Sequence, residues 1–248
     1  MGESKEESGS ISEFFADLFN GSDFVAAFVN SLVMIIVTEI GDKTFFIAAV
    51  LAMRNGRVFV YAGAMAALTA MHLLSSLMGY ALPSLLSRKY TNLASTILFV
   101  YFGFKLLKDA MAMSPDGPSE ELQEVENELI DKKDVDLSSP DVEDGNGKQR
   151  DYDSSKNRHM AIFTQALTMT FLAEWGDRSQ IATIALAASK NTYGVIIGGL
   201  IGHALCTGLA VVGGRMLAAK ISERTVSIVG GLGFFCFAIH SFLVGDVE

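Results

Sequence analysis

The chain has 248 residues, half of them hydrophobic, with 23 glycines and a formal charge of −9; its mean hydropathy is +0.35. The acidic balance argues against a nucleic-acid partner, and the apolar, glycine-rich composition argues for a lipid bilayer. The charge is segregated: residues 1–23 carry −5 and residues 113–158 carry −8, leaving +4 for the rest, so the acidity belongs to segments outside the membrane.

Residues 1–23 read as a lumenal N-terminal segment. Ile11, Phe14, Phe15, Leu18 and Phe19 recur at helical spacing, which predicts an amphipathic helix lying in the membrane interface. The segment has no basic stretch leading into an apolar core, so either no signal is cleaved from it or the chain is a processed form. A first three-helix unit, 24–112, follows, with apolar stretches at about 24–53, 58–82 and 92–112 that meet the ~20 residues a span requires. Residues 113–158, with Pro115, Pro118 and Pro140 among many acids and serines, read as a solvated acidic linker holding a short helix from Ser119 to Lys133. A second unit, 159–248, has spans at about 160–188, 193–217 and 224–244. The expected fold is therefore an all-α integral membrane protein with six main transmembrane helices.

The first and fourth spans are each about thirty residues, too long for a straight crossing, and each carries the pattern Glu-x-Gly-Asp-basic-hydroxyl at its middle: Glu39 to Thr44 and Glu174 to Ser179. A tilt, or a break at Gly41 and Gly176, absorbs the excess length. The offset that carries Glu39 onto Glu174 also pairs Gly63 with Gly198, Gly79 with Gly214 and Asn30 with Gln165. Three helices per copy is an odd number, so the second copy enters the membrane from the opposite side. The halves are thus expected to be inverted repeats whose motifs meet near the midplane. Thirteen Lys and Arg lie on the side of the 113–158 linker against four on the other, leaving out Lys43 and Arg178. The positive-inside rule then places the linker in the cytosol and both termini across the membrane.

An ionised carboxylate at the bilayer centre costs roughly 2.5–3.5 kcal/mol on insertion scales. Glu39, Asp42, Glu174 and Asp177 are the only acids left for the membrane interior, so they call for a compensating cation or proton. On a continuous helix Glu39, Asp42 and Lys43 share one face, as do Glu174, Asp177 and Arg178. Thr44, Ser179, Gln180, Asn30 and Gln165 offer neutral oxygens, and an all-oxygen donor set without thiolate suits a hard divalent cation such as Ca2+ or Mn2+. Crowded carboxylates cannot all stay ionised once a metal leaves, so metal and proton compete for one site. Lys43 and Arg178 either neutralise the acids structurally or occupy the empty site. His72 and His203 are either hydrogen-bonded core residues or, for His203, a proton relay. No nucleophile, Cys/His cluster or phosphate loop suggests an enzyme or a bound cofactor; the ions involved are cargo. A homo-oligomer is compatible with the sequence.

The doubled motif, the three-plus-three layout and the acidic central linker resemble the eukaryotic Golgi cation/proton exchanger family that includes human transmembrane protein 165 and its yeast relative. The resemblance covers about 24–245 and is closest over Glu39 to Met53 and Phe171 to Gln180. It implies an antiporter in the Golgi membrane that moves Mn2+ and Ca2+ into the lumen against protons in support of glycosylation, with Glu39, Asp42, Glu174 and Asp177 as metal ligands. The rival reading is a divalent cation channel without proton coupling.

Overall fold

The computed structural model describes residues 22–113, 120–136, 150–218 and 222–245; the interfacial helix expected around Ile11 to Phe19 lies outside the described residues. Every regular element among them is helical. In chain order these are α1 (Ser22–Glu39), α2 (Lys43–Arg54), α3 (Arg57–Leu85), α4 (Arg88–Ala112), α5 (Glu120–Asp136), α6 (Arg150–Glu174), α7 (Arg178–Ser189), α8 (Thr192–Ala218) and α9 (Glu223–Gly245).

Of the two ways to absorb the excess length, a tilt or a break at the glycines, both long motif-bearing stretches take the break. Gly41 has φ 80° and Gly176 φ 79°, a left-handed conformation that glycine adopts without steric penalty. The chain therefore leaves the helix after Glu39 or Glu174 and restarts at Lys43 or Arg178. The restarted helices, α2 and α7, are each twelve residues long. The α1–α2 pair bends by 66° at its break. Because the helices stop at the motif, the single continuous acidic face expected for Glu39, Asp42 and Lys43, and for Glu174, Asp177 and Arg178, does not exist.

The two halves pack through each other at the sequence offset. Helix α1 lies against α8, and its counterpart α6 lies against α3; α2 packs on α8, and α7 on α3; α4 and α9 pair with each other. A Cβ on Gly63 would collide with the Phe163 carbonyl, and one on Gly198 with the Phe28 carbonyl. Those two contacts are one contact repeated at the offset between the motifs, and the missing side chains let the helix backbones approach closely, the usual device of helix pairs in membranes. Helix α2 sits in one apolar cluster with Ile162, Ala166, Met169, Ala210 and Val211. Helix α7 sits in the other, with Met34, Ile35, Phe99, Phe102 and Phe234. Both short motif helices are thus held in packed surroundings, which fixes the helix ends carrying the acids.

The structure bears on two further expectations. By length and apolarity alone, the described residues contain two helices able to cross a membrane, Arg57–Leu85 and Thr192–Gly214, or three if Asp23–Glu39 and Lys43–Arg54 count as one broken span, with Arg224–Ile239 a shorter apolar helix. The remaining expected spans are diluted by polar residues: α4 opens with Thr91, Asn92, Ser95 and Thr96, and α6 opens with a charged stretch from Arg150 to Arg158. The linker is also not simply solvated chain. Its helix α5, close to the expected Ser119 to Lys133, docks Leu122, Val125 and Leu129 into the cluster around α2.

Candidate cation site

The broken helices bring their ends together. Carboxylate oxygens of Glu39, Asp42 and Glu174 all lie within 4.8 Å of one another, although Glu39 and Glu174 belong to opposite halves of the chain. Glu39 and Glu174 are 2% and 3% exposed. Each is braced by the hydroxyl of the same motif: Thr44 Oγ1 donates to Glu39 Oε2 at 3.1 Å, and Ser179 Oγ donates to Glu174 Oε1 at 2.7 Å. The other oxygen of each, Glu39 Oε1 and Glu174 Oε2, is buried without a hydrogen-bond partner. Buried polar atoms are rarely left in that condition without a ligand or a proton to satisfy them.

The two Asp residues are used differently. Asp177 is the N-cap of α7, its carboxylate accepting the Ser179 N–H at 3.0 Å and the Gln180 N–H at 2.8 Å. Asp42 is the N-cap of α2 but makes no side-chain cap bond. It faces the carboxylate group instead and accepts from Arg178 Nη2 at 3.4 Å. Arg178 therefore compensates an acid of the opposite motif. Lys43, expected to compensate the motif acids, points away from them: its ammonium donates to Glu124 Oε1 at 2.7 Å and lies 3.6 Å from Glu128 Oε2, both on α5. Once the helix breaks at Gly41, residue 43 starts a new helix with a new direction, so its spacing from Glu39 no longer places it on the same face.

Of the neutral donors, Thr44, Ser179 and Gln180 are at the breaks; Gln180 Oε1 accepts the Gly176 N–H at 2.7 Å and so ties the turn closed. Asn30 and Gln165 are not at the site. Each lies nine residues before its motif Glu on the same helix, about 13 Å along the axis. His203, on α8, is at the site: its Nδ1 is 3.9 Å from Glu39 Oε2. Its ring meets that of His72 edge-on at 5.3 Å. A cleft of about 210 Å³ reaches Asp42 and Arg178 between Lys105, Asp109, Glu121 and Ser227, opening beside α5. A cavity of about 10 Å³ on the inner side is bounded by Glu174, Ser179, His72 and His203. The role of α5 escaped the sequence reading, although Leu122, Val125 and Leu129 recur at helical spacing within its acidic run.

Among known proteins, the model of the family described as the divalent cation/proton antiporter GDT1 matches residues 27–114 and 162–247. The chain belongs to the GDT1 family. The starts of the two matched segments are related by the same offset as the motifs, and each segment contains one motif. A GDT1-like protein 3 of Oryza sativa subsp. indica is 46% identical over 90% of this chain and 75% of its own length. GDT1-like protein 3 of Arabidopsis thaliana is 48% identical, over 87% of this chain and 70% of its own. A GDT1-like protein of Schizosaccharomyces pombe is 40% identical, over 90% of this chain and 84% of its own. No solved structure matches the chain. GDT1 proteins are a family of antiporters, which are transporters, and a buried carboxylate cluster reached by a polar cleft is what cation transport by such a protein requires.

Proposed function

We propose that the chain is a secondary active transporter that exchanges Mn2+ or Ca2+ for protons and moves the metal from the cytosol into the Golgi lumen, in support of glycosylation. The observation that carries this reading is the meeting of Glu39, Asp42 and Glu174 oxygens within 4.8 Å in a buried setting. A dication held there offsets the carboxylate charge, and protons that replace it do the same. The loaded site, with either cargo, is close to neutral and can change its access; the empty, charged site is costly to move. This logic yields exchange rather than a channel.

The reading also takes the chain as six spans in two inverted three-helix repeats. It is supported by the reciprocal packing of α1 on α8 and α6 on α3, and by the matched glycines at both breaks. The cytosolic placement of the linker and the lumenal placement of the termini rest on the distribution of Lys and Arg. The Golgi rests on the resemblance to the Golgi exchangers. In this conformation the cleft beside α5 makes Asp42 accessible from the linker side, while Asp177 is engaged as a cap. Access from the other side would exchange those roles: Asp42 would cap α2, and Asp177 would turn to the ion.

The test is reconstitution into liposomes under an imposed pH gradient, with metal and proton fluxes recorded together. Mn2+ uptake should be matched by proton movement in the opposite direction, and Glu39→Gln and Glu174→Gln should each reduce both to background while the protein still inserts. Metal flux without proton flux would make the protein a channel. Near-normal coupled flux in either variant would remove that Glu from the mechanism.

A further inference from the structure

We propose that His203 is a ligand to the transported cation, contributing a nitrogen donor through Nδ1 and biasing the site toward Mn2+ over Ca2+. The inference rests on the carboxylate site described above and deepens it. Three buried polar side-chain atoms at this site have no hydrogen-bond partner: Glu39 Oε1, Glu174 Oε2 and His203 Nδ1. His203 is 2% exposed, and it borders the same small inner cavity as Glu174. A core histidine packed for structure alone satisfies its ring nitrogens locally, because a buried unpaired polar atom costs about 1–3 kcal/mol. His72 shows that behaviour next door, with Nε2 at 3.2 Å from the Val195 carbonyl oxygen. His203 does not.

The separation of Nδ1 from Glu39 Oε2, 3.9 Å, is too long for a hydrogen bond. It suits two donors sharing one ion with Glu39; the nitrogen stands outside the set in which Glu39, Asp42 and Glu174 oxygens meet within 4.8 Å, so it completes the shell only when a bound ion draws it in. At first-row metal bond lengths of about 2.1 Å, two ligands of one ion stand about 3–4.2 Å apart, from the cis to the trans arrangement. Helix α8 carries His203, and α1, which packs on it, carries Glu39, so the nitrogen comes from one half and the oxygen from the other. The chemistry of the donor set then discriminates between cargoes. Ca2+ is coordinated by oxygens and takes six to eight of them; Mn2+ also favours oxygen but, as a first-row transition cation, accepts imidazole, the commonest side-chain ligand of protein metals. A nitrogen in the shell thus penalises Ca2+ more than Mn2+.

The experiment uses the full-length chain, purified in detergent and loaded with Mn2+ alone. Pulsed electron paramagnetic resonance should record the 14N modulation of a directly bound imidazole in the wild type, and His203→Gln should abolish it. In equilibrium titrations His203→Gln should weaken Mn2+ binding by about tenfold or more, as expected when a metal's coordination sphere is disturbed, with a much smaller change for Ca2+. Wild-type protein that binds Mn2+ without 14N modulation overturns the assignment, as does modulation that persists in His203→Gln or an equal loss of both affinities. Should His203→Gln fail to fold, His72→Gln decides: 14N modulation that survives there supports His203, and modulation lost there overturns the assignment. Glu39→Gln separates the two readings. If it binds Mn2+ like the wild type, the carboxylate site itself is wrong; if binding depends on Glu39 but carries no nitrogen signature, only the histidine is.

Discussion

Glu39 and Glu174 each receive one hydroxyl hydrogen bond from their own motif and leave one oxygen bare, so the bracing fixes where the carboxylates point without satisfying them. The Asp residues diverge instead, and the divergence is measurable. Asn caps helices about as well as Asp, so Asp177→Asn should keep α7 intact, with stability changed by less than about 1 kcal/mol, and should leave Mn2+ affinity close to that of the wild type in the conformation described. Asp42→Asn removes a negative oxygen from the carboxylate group and should weaken Mn2+ binding by about tenfold or more. Equal affinity losses in both variants, measured by isothermal titration, would contradict this division. The three acids that meet, Glu39, Asp42 and Glu174, are legible in the sequence because four carboxylates in apolar stretches leave few alternatives. The capping by Asp177 is not, because the motif spacing reads as one helix and a cap exists only where a helix begins. The unpartnered nitrogen of His203 is invisible for a different reason: a ring's hydrogen-bonding state depends on neighbours from other helices.

At the level of elements, the breaks at Gly41 and Gly176 decide where everything else points. A Cβ on Gly176 would meet nothing within 4 Å, so substitutions there report on backbone conformation and not on crowding. A left-handed conformation costs an ordinary residue roughly 1–2 kcal/mol, and Asn tolerates it best. Coupled transport should therefore fall in the order Gly, Asn, Ala, Val at position 176, with thermal stability following the same order. Uniform activity across the series would mean that the turn is not needed in its present form. The breaks follow from the excess length of the two spans and from a glycine at the centre of each. The consequence for Lys43 does not, because spacing along an unbroken helix says nothing about direction after a turn. Asn30 and Gln165 illustrate the converse: they match at the repeat offset, yet helix rise alone carries them about 13 Å from the motif acids. Helix α5 is foreseeable as a helix but not as a packed one, since three apolar residues in a strongly acidic segment give a weak amphipathic signal.

Over the whole molecule, neither half makes the site alone, because α1 and α2 lean on α8 while α6 and α7 lean on α3. Movement of one half against the other must therefore shift both short motif helices, and one of them is tethered. Lys43 at the first residue of α2 is paired with Glu124 and Glu128 of α5, with side chains 27%, 63% and 37% exposed. Exposed ion pairs contribute only about 0–1 kcal/mol, too little to hold the protein in one conformation but enough to alter how often it leaves. Glu124→Gln combined with Glu128→Gln should raise the turnover rate about two- to fivefold, the range that energy allows, and leave equilibrium Mn2+ affinity unchanged. An unaltered rate would reduce the pair to a surface contact. Because such a pair is screened by salt over about 10 Å at 0.1 M, the wild type should also run faster as ionic strength on the linker side rises, and the double variant should not. The acidic segment between the two halves then acts as a brake whose grip is set by the electrolyte around it, and the pace of transport becomes a reading of the solution that bathes that segment.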